Sequence, residues 1–252
     1  MMTDPSPARS GVRFGRFIVT ISDLRGEKAS NDHKIVHFVR HAQGHQNDII
    51  SYIFTYLSTD LGHHNVAGSI DYRNYLKEEF FDSLLSPLGE EQCREVASNE
   101  SIQNNVLNSK LVLVSPLRRT LQTALQCFPN FVNKIPFKAL ESIREQSGLH
   151  PCDRRNSIKD QARMFPLVDF NEILNDEDPI YGLYPGAREP EEDVMARALK
   201  AIEYIITREE KEIIVVSHSS YLSKLLQTFY IHKQFQNAEV ASYVIQSSTV
   251  EE

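Results

Sequence analysis

Arg40 and His41 directly follow the apolar run Ile35–Val39, and His218 directly follows the run Glu212–Ser217. Ser115 closes a third run, Leu111–Ser115, with Arg118 and Arg119 a few residues beyond. Glu141 and Glu145 come soon after the apolar residues around Phe137. Taken singly these residues are bland. A lone histidine behind such a run ordinarily packs or caps, and arginines at helix starts are ordinarily solvated. Gathered at one place they describe phosphoryl transfer through a phosphohistidine. Guanidinium forks match phosphate oxygens, and a neutral imidazole can attack phosphorus. A carboxylic acid kept protonated by burial or nearby negative charge can protonate the leaving alcohol. Two adjacent guanidiniums would also favour the uncharged, attacking form of His41.

Gathering them requires a sheet. Ile35–Val39, Leu111–Ser115 and Glu212–Ser217 are short, rich in β-branched residues and mostly apolar, as buried strands are, and a further strand is expected over Phe137–Leu140. Helical patterns lie between them over Leu88–Val96, Leu117–Cys127, Glu191–Arg208 and Tyr221–Tyr230. Alternation over Gly15–Ile21 predicts a half-buried strand, and the last alternation, Val240–Ile245, predicts an edge strand. Strands alternating with helices give an α/β class: a mostly parallel central sheet with helices on both faces. In such sheets ligands bind beyond the carboxyl ends of the strands, which is where the histidines and arginines fall. The segments Ile49–Leu76 and Leu149–Gly186 have weaker periodicity and are expected to be excursions that dress the ligand site.

The stretch VRHAQGHQN (Val39–Asn47) resembles the Arg-His-Gly signature of the histidine phosphatase superfamily, the phosphoglycerate-mutase-like proteins. SPLRRTLQTA (Ser115–Ala124) resembles its second arginine motif, and SHSSYL (Ser217–Leu222) the segment of its second histidine. The likeness covers Ile35 to Tyr230, and its nearest branch is the phosphoglycerate-mutase-like phosphatases of fungi and plants, to which IREQSGLHPCDRRNS (Ile143–Ser157) is similar. The resemblance implies a three-layer sandwich. It implies His41 as nucleophile, with Arg40, Arg119 and His218 around the phosphoryl group and Asn47 as a further phosphate contact. It puts Glu145 in the proton-donor position, with Glu141 as the alternative. His150, Arg154 and Arg155 are expected to meet a second anionic group of the substrate, or else to form a solvated basic loop. Ala42 replaces the family's glycine, and Gln43 replaces the glutamate common in true mutases, which moves the expectation from mutase to phosphatase.

Other chemistries find less. His37, His41 and His45 recur every four residues, a zinc-binding face on a helix, but the run around His37 reads as a strand. No GxxxxGK[ST], GxGxxG, GxSxG, HExxH or CxxC occurs, and Cys152 lacks the loop a cysteine phosphatase needs. No metal or cofactor is expected. The chain has 252 residues, with 27 Lys and Arg against 34 Asp and Glu, so a nucleic-acid partner is not expected either. Three scattered cysteines fit a reducing compartment. No apolar run approaches the ~20 residues of a membrane span. The N-terminus, with Arg9, Arg13 and Arg16 but no apolar stretch, does not read as a secretory signal. The expectation is a cytoplasmic protein, with nuclear access, acting on a small-molecule phosphate. Residues 1–34 are expected to form a partly ordered extension before a single domain, 35–252.

Overall fold

The computed structural model describes residues 11–24, 29, 33–45 and 75–250; Asn47 and nearly all of Ile49–Leu76 lie outside them. Seven strands form one sheet: β1 (Val12–Phe14), β2 (Phe17–Asp23), β3 (His33–Arg40), β4 (Leu111–Val114), β5 (Phe137–Ala139), β6 (Glu212–Ser217) and β7 (Val240–Thr249). Their order is β1-β2-β7-β3-β6-β4-β5. β3, β6, β4 and β5 pair in parallel, while β7, β2 and β1 pair antiparallel. The helices are α1 (Pro87–Ser98), α2 (Glu100–Asn105), α3 (Arg118–Cys127), α4 (Ile158–Met164), α5 (Glu191–Thr207) and α6 (Ser219–Thr228).

Parallel neighbours need crossover connections, and the helices that supply them cover both faces of the sheet. That is why the central strands carry apolar residues on both faces. Val36, Phe38, Leu111, Leu113, Ile213 and Val215 face a core completed by Val194, Ala198, Ile202 and Ile205 of α5 and Leu222 and Leu225 of α6. The alternate residues Val39, Val112, Val114, Ile214 and Val216 face a second core with Cys93 of α1 and Leu121 and Ala124 of α3. Each such aliphatic side chain contributes about 1.5–3 kcal/mol on burial, so register is held strongly. A slip of one residue would exchange the two faces. The α/β class with helices on both faces is therefore present.

β7 is not the edge strand its sequence suggests. It lies between β2 and β3, with Val244 opposite Ser22 on one side and Ile35 on the other. Alternation reports which faces of a strand are buried and says nothing of which backbone edges are paired. The polar end of β7, exposed on its faces, is still bonded along both edges near Gln246. The outer strands are β1 and β5. Residues 12–23, assigned above to an N-terminal extension, add two strands to this same sheet, the Gly15–Ile21 alternation belonging mostly to β2. No helix among the described residues is long and apolar enough to cross a membrane.

Candidate active site

Parallel pairing sets the centre of the site. Arg40, the last residue of β3, is the register partner of Ser217, the last of β6. The next residues along, His41 and His218, therefore leave the sheet side by side. The His41 amide donates to the Ser217 carbonyl at 2.9 Å, and the two imidazole rings stand 5.0 Å apart between centroids at 61°.

The loop after His41 is clamped between α1 and α3. Ala42 N donates to Thr123 Oγ1 (3.0 Å) and Gln43 N to Gln92 Oε1 (2.9 Å). Ser86 caps α1 by accepting from Gly89 N at 3.1 Å and donates to Gln43 Oε1 at 2.7 Å. Gly89 has to lack a side chain, since a Cβ there would lie 2.1 Å from the Gln43 carbonyl oxygen. This clamp aims the Ala42 carbonyl at His41 Nδ1, 2.6 Å away. A carbonyl can only accept, so Nδ1 carries the proton and Nε2 of the neutral ring keeps its lone pair. Arg119 Nε donates toward that lone pair at 3.3 Å. Burial, then the charges of Arg119 and Arg40, hold the His41 ring well below the usual imidazole range, so it is uncharged at neutral pH. The ring is thus in the uncharged form, with Nε2 unprotonated, that a nucleophilic imidazole requires.

The surrounding groups suit an anion. Arg119, on the first turn of α3, is buried; its Nη1 donates to the Cys152 carbonyl at 2.5 Å and its Nη2 to Asp153 Oδ1 at 2.9 Å. With Nε aimed at His41, one hydrogen on each Nη remains. Arg40 donates from Nη1 to the Phe235 carbonyl at 2.7 Å. Its Nε and His218 Nδ1 are buried without a hydrogen-bond partner among the described residues. Buried polar atoms are normally paired, and both of these belong to the histidine–arginine cluster. His218 is fixed by Nε2 at 2.8 Å from Ser115 Oγ, and burial followed by the Arg119 charge lowers its proton affinity too.

Glu145 and Glu141 separate clearly. Glu145 Oε1 accepts from Gln146 N (2.8 Å) and Tyr221 N (3.0 Å), and Oε2 from Ser220 N (3.2 Å). It thus sits at the start of α6, the helix that begins immediately after His218, and its charge acts on Arg40. Glu141 instead accepts from Arg144 Nη1 at 2.7 Å and Arg155 Nε at 3.0 Å. Two cations already engage it.

The three residues expected to meet a second anionic group have different fates. Arg155 is 2% exposed and turns inward. Its Nε donates to Glu141, its Nη1 to the carbonyls of Asn156 and Asp176, and its Nη2 to those of Asn175 and Glu177. All five N–H groups are thereby used. Swinging it toward a ligand would strand buried acceptors at roughly 1–3 kcal/mol each, so its expected substrate contact is corrected to a structural one: it pins the 175–177 loop. Arg154 is exposed, its guanidinium 5.0 Å from the Phe81 ring centre and 5.6 Å from that of Tyr181. His150 is buried beside the cluster, its Nδ1 accepting from Arg188 Nη1 at 2.9 Å, and its ring lies 5.2 Å from that of Tyr75.

Asp153 and Arg188 went unnoticed in the sequence. Burial alone would raise the Asp153 carboxyl, but the Arg188 and Arg119 cations beside it pull it well below the usual carboxylate range. Its position between Cys152 and two arginines gave the only hint. Cys152 serves through its carbonyl; burial and then the Asp153 charge push its thiol well up, away from the thiolate a nucleophile needs. His37, raised above as a zinc ligand, lies in β3 with Nδ1 2.8 Å from Ser242 Oγ and Nε2 3.3 Å from Glu212 Oε1.

A family model described as the histidine phosphatase superfamily (branch 1) matches residues 77–242, a stretch containing Arg119, Glu145 and His218. The chain belongs to that superfamily. A phosphoglycerate mutase-like protein of Arabidopsis thaliana is 36% identical over 222 residues, 78% of this chain and 74% of that protein. Phosphoglycerate mutase-like protein 1 of the same plant is 32% identical over 250 residues, 84% of this chain and 81% of its own. Shorter stretches match proteins of Saccharomyces cerevisiae and Schizosaccharomyces pombe. Among solved structures, the ecdysone phosphate phosphatase of Bombix mori in complex with tungstate superposes with a TM-score of 0.52 over 83% of this chain and 88% of that one. At 12% identity this likeness concerns the histidine phosphatase fold alone. The matched stretch contains Arg119 and His218, which this sheet brings beside His41.

Proposed function

We propose that this histidine phosphatase superfamily member hydrolyses a small-molecule phosphomonoester in two displacements, with a phosphohistidine on His41 between them. The observation that carries the reading is the His41 ring, held with Nδ1–H against the Ala42 carbonyl and the Nε2 lone pair beside Arg119. In the first displacement Nε2 forms a bond to phosphorus as the bond to the leaving oxygen breaks. Arg40, Arg119 and His218 stabilise charge on the equatorial oxygens, and Asn47 is a further contact. Glu145 gives its proton to the departing alcohol. In the second, Glu145 takes a proton from water, the resulting hydroxide bonds to phosphorus, and the P–N bond breaks to release phosphate and restore His41. The arginines neutralise the phosphoryl charge, so the reaction requires no metal or cofactor. The substrate is soluble and small, and neither nucleic acid nor membrane is a partner.

The mutase-like names of the plant relatives favour a second reading, in which the phosphohistidine returns the group to another hydroxyl of the substrate. Assays with p-nitrophenyl phosphate and 3-phosphoglycerate, each with and without orthovanadate, separate the two. The expected outcome is vanadate-sensitive release of inorganic phosphate. Isomerisation of 3-phosphoglycerate outpacing phosphate release would assign a mutase, and inertness toward both would leave a binding module.

A further inference from the structure

We infer that Arg188 determines which substrates the site accepts, by reading a carboxylate or second phosphate on the leaving group. This rests on the phosphoryl pocket proposed above. Arg188 is tied to that pocket through one buried carboxylate: Asp153 Oδ1 accepts from Arg119 Nη2 at 2.9 Å and Asp153 Oδ2 from Arg188 Nη1 at 2.7 Å. The spacing between the guanidinium that holds the phosphoryl group and the one beside it is thereby fixed. Asp153 is shared between the two cations, and the Glu145 charge also acts on Arg188.

The donors of Arg188 divide in a telling way. Both hydrogens of Nη1 are engaged, one by Asp153 and one by His150 Nδ1 at 2.9 Å. Nε and Nη2 have no hydrogen-bond partner among the described residues, and the side chain is 25% exposed. The three remaining N–H groups, on Nε and Nη2, share one planar fork at a set place, the geometry that favours bidentate capture of an oxyanion. The backbone is fixed as well. Arg188 pairs with Gly148 in an isolated antiparallel bridge. At Gly148, φ is +104° and a Cβ would lie 2.1 Å from the Ala187 carbonyl oxygen, so only glycine permits the approach. The neighbouring Glu189 accepts from Ser147 N (2.9 Å) and from Arg197 Nε (2.8 Å), locking the same segment to the loop that carries Glu145. An arginine held this firmly, with Nη1 bound and Nε and Nη2 uncommitted among the described residues, reads a ligand with little ordering cost.

The test compares methyl phosphate, which has no second anion, with 2-phosphoglycolate, which adds a carboxylate, by calorimetric titration of the whole chain. Wild-type protein is expected to bind 2-phosphoglycolate about tenfold or more tightly than methyl phosphate, and Arg188→Gln to bring the two within about twofold. Arg188→Lys, which keeps the charge and lacks the fork, is expected to fall between them and guards against a folding defect in the glutamine variant. A wild-type ratio near one, or a ratio unchanged in Arg188→Gln, would overturn the assignment while leaving the phosphoryl pocket intact. Equal weakening of both ligands would also overturn it, reducing Arg188 to a support for Asp153. If methyl phosphate fails to bind wild-type protein, the pocket itself is refuted and this assignment with it.

Discussion

Replacing His41 by alanine is expected to lower kcat for any phosphomonoester by at least about four orders of magnitude while leaving the protein folded. The size follows from the role. A group that forms the covalent intermediate cannot be bypassed by the charge-stabilising groups around it, which by themselves sustain only the residual rate. Folding should survive because alanine keeps the backbone bond from residue 41 to the Ser217 carbonyl, and the loop that follows is held independently through Thr123 and Gln92. The ring also sits uncharged at a buried place where burial and two guanidiniums disfavour its proton. Steady-state hydrolysis of p-nitrophenyl phosphate, read beside far-UV circular dichroism, gives the answer. A well-folded His41→Ala protein with near wild-type kcat would remove His41 from the mechanism.

The second large effect concerns the proton. Glu145→Gln is expected to slow phosphorylation of His41 by alkyl phosphates about 10²–10⁴-fold, the usual range for loss of a positioned general acid. p-Nitrophenolate departs without a proton, so the same variant should still phosphorylate readily from p-nitrophenyl phosphate. Its second displacement lacks the base, and the expected trace in stopped flow is a burst of p-nitrophenolate matching the enzyme concentration, followed by a slow phase. The substitution is gentle, because the retained carbonyl oxygen can still accept from Gln146 N or Tyr221 N. Glu141→Gln should show no dependence on leaving group, since that carboxylate faces Arg144 and Arg155. Equal slowing of alkyl and aryl phosphorylation in Glu145→Gln would show that Glu145 handles no leaving-group proton.

The parts of this site that were legible beforehand are those fixed by the sheet. Short, β-branched, mostly apolar runs suit strands buried on both faces, and parallel pairing brings their carboxyl ends to one rim, so Arg40, His41, Ser115 and His218 could be placed together from β3, β4 and β6. What lay in the loops was not legible. Arg154 and Arg155 are adjacent, and no local pattern says which turns inward. That is decided by the carbonyls of Asn175, Asp176 and Glu177, some twenty positions along the chain. Glu141 and Glu145 look alike as letters, yet a single 3-10 turn, Glu141–Ile143, and the start of α6 give them opposite surroundings. Asp153 and Arg188 meet only in the folded chain, and an ion pair between residues 35 positions apart leaves no mark on either segment. The error over β7 has the same origin: the strand that covers its edge comes from the other end of the chain.

The central claim is that His41 Nε2 becomes covalently bonded to phosphorus. Wild-type protein mixed with ³²P-labelled substrate, quenched in alkali within milliseconds and digested, should yield label on the peptide containing His41, stable to base and lost in acid, as a phosphoramidate is. Label on any other residue, or none at all during active turnover, would contradict the account and point to direct attack by water.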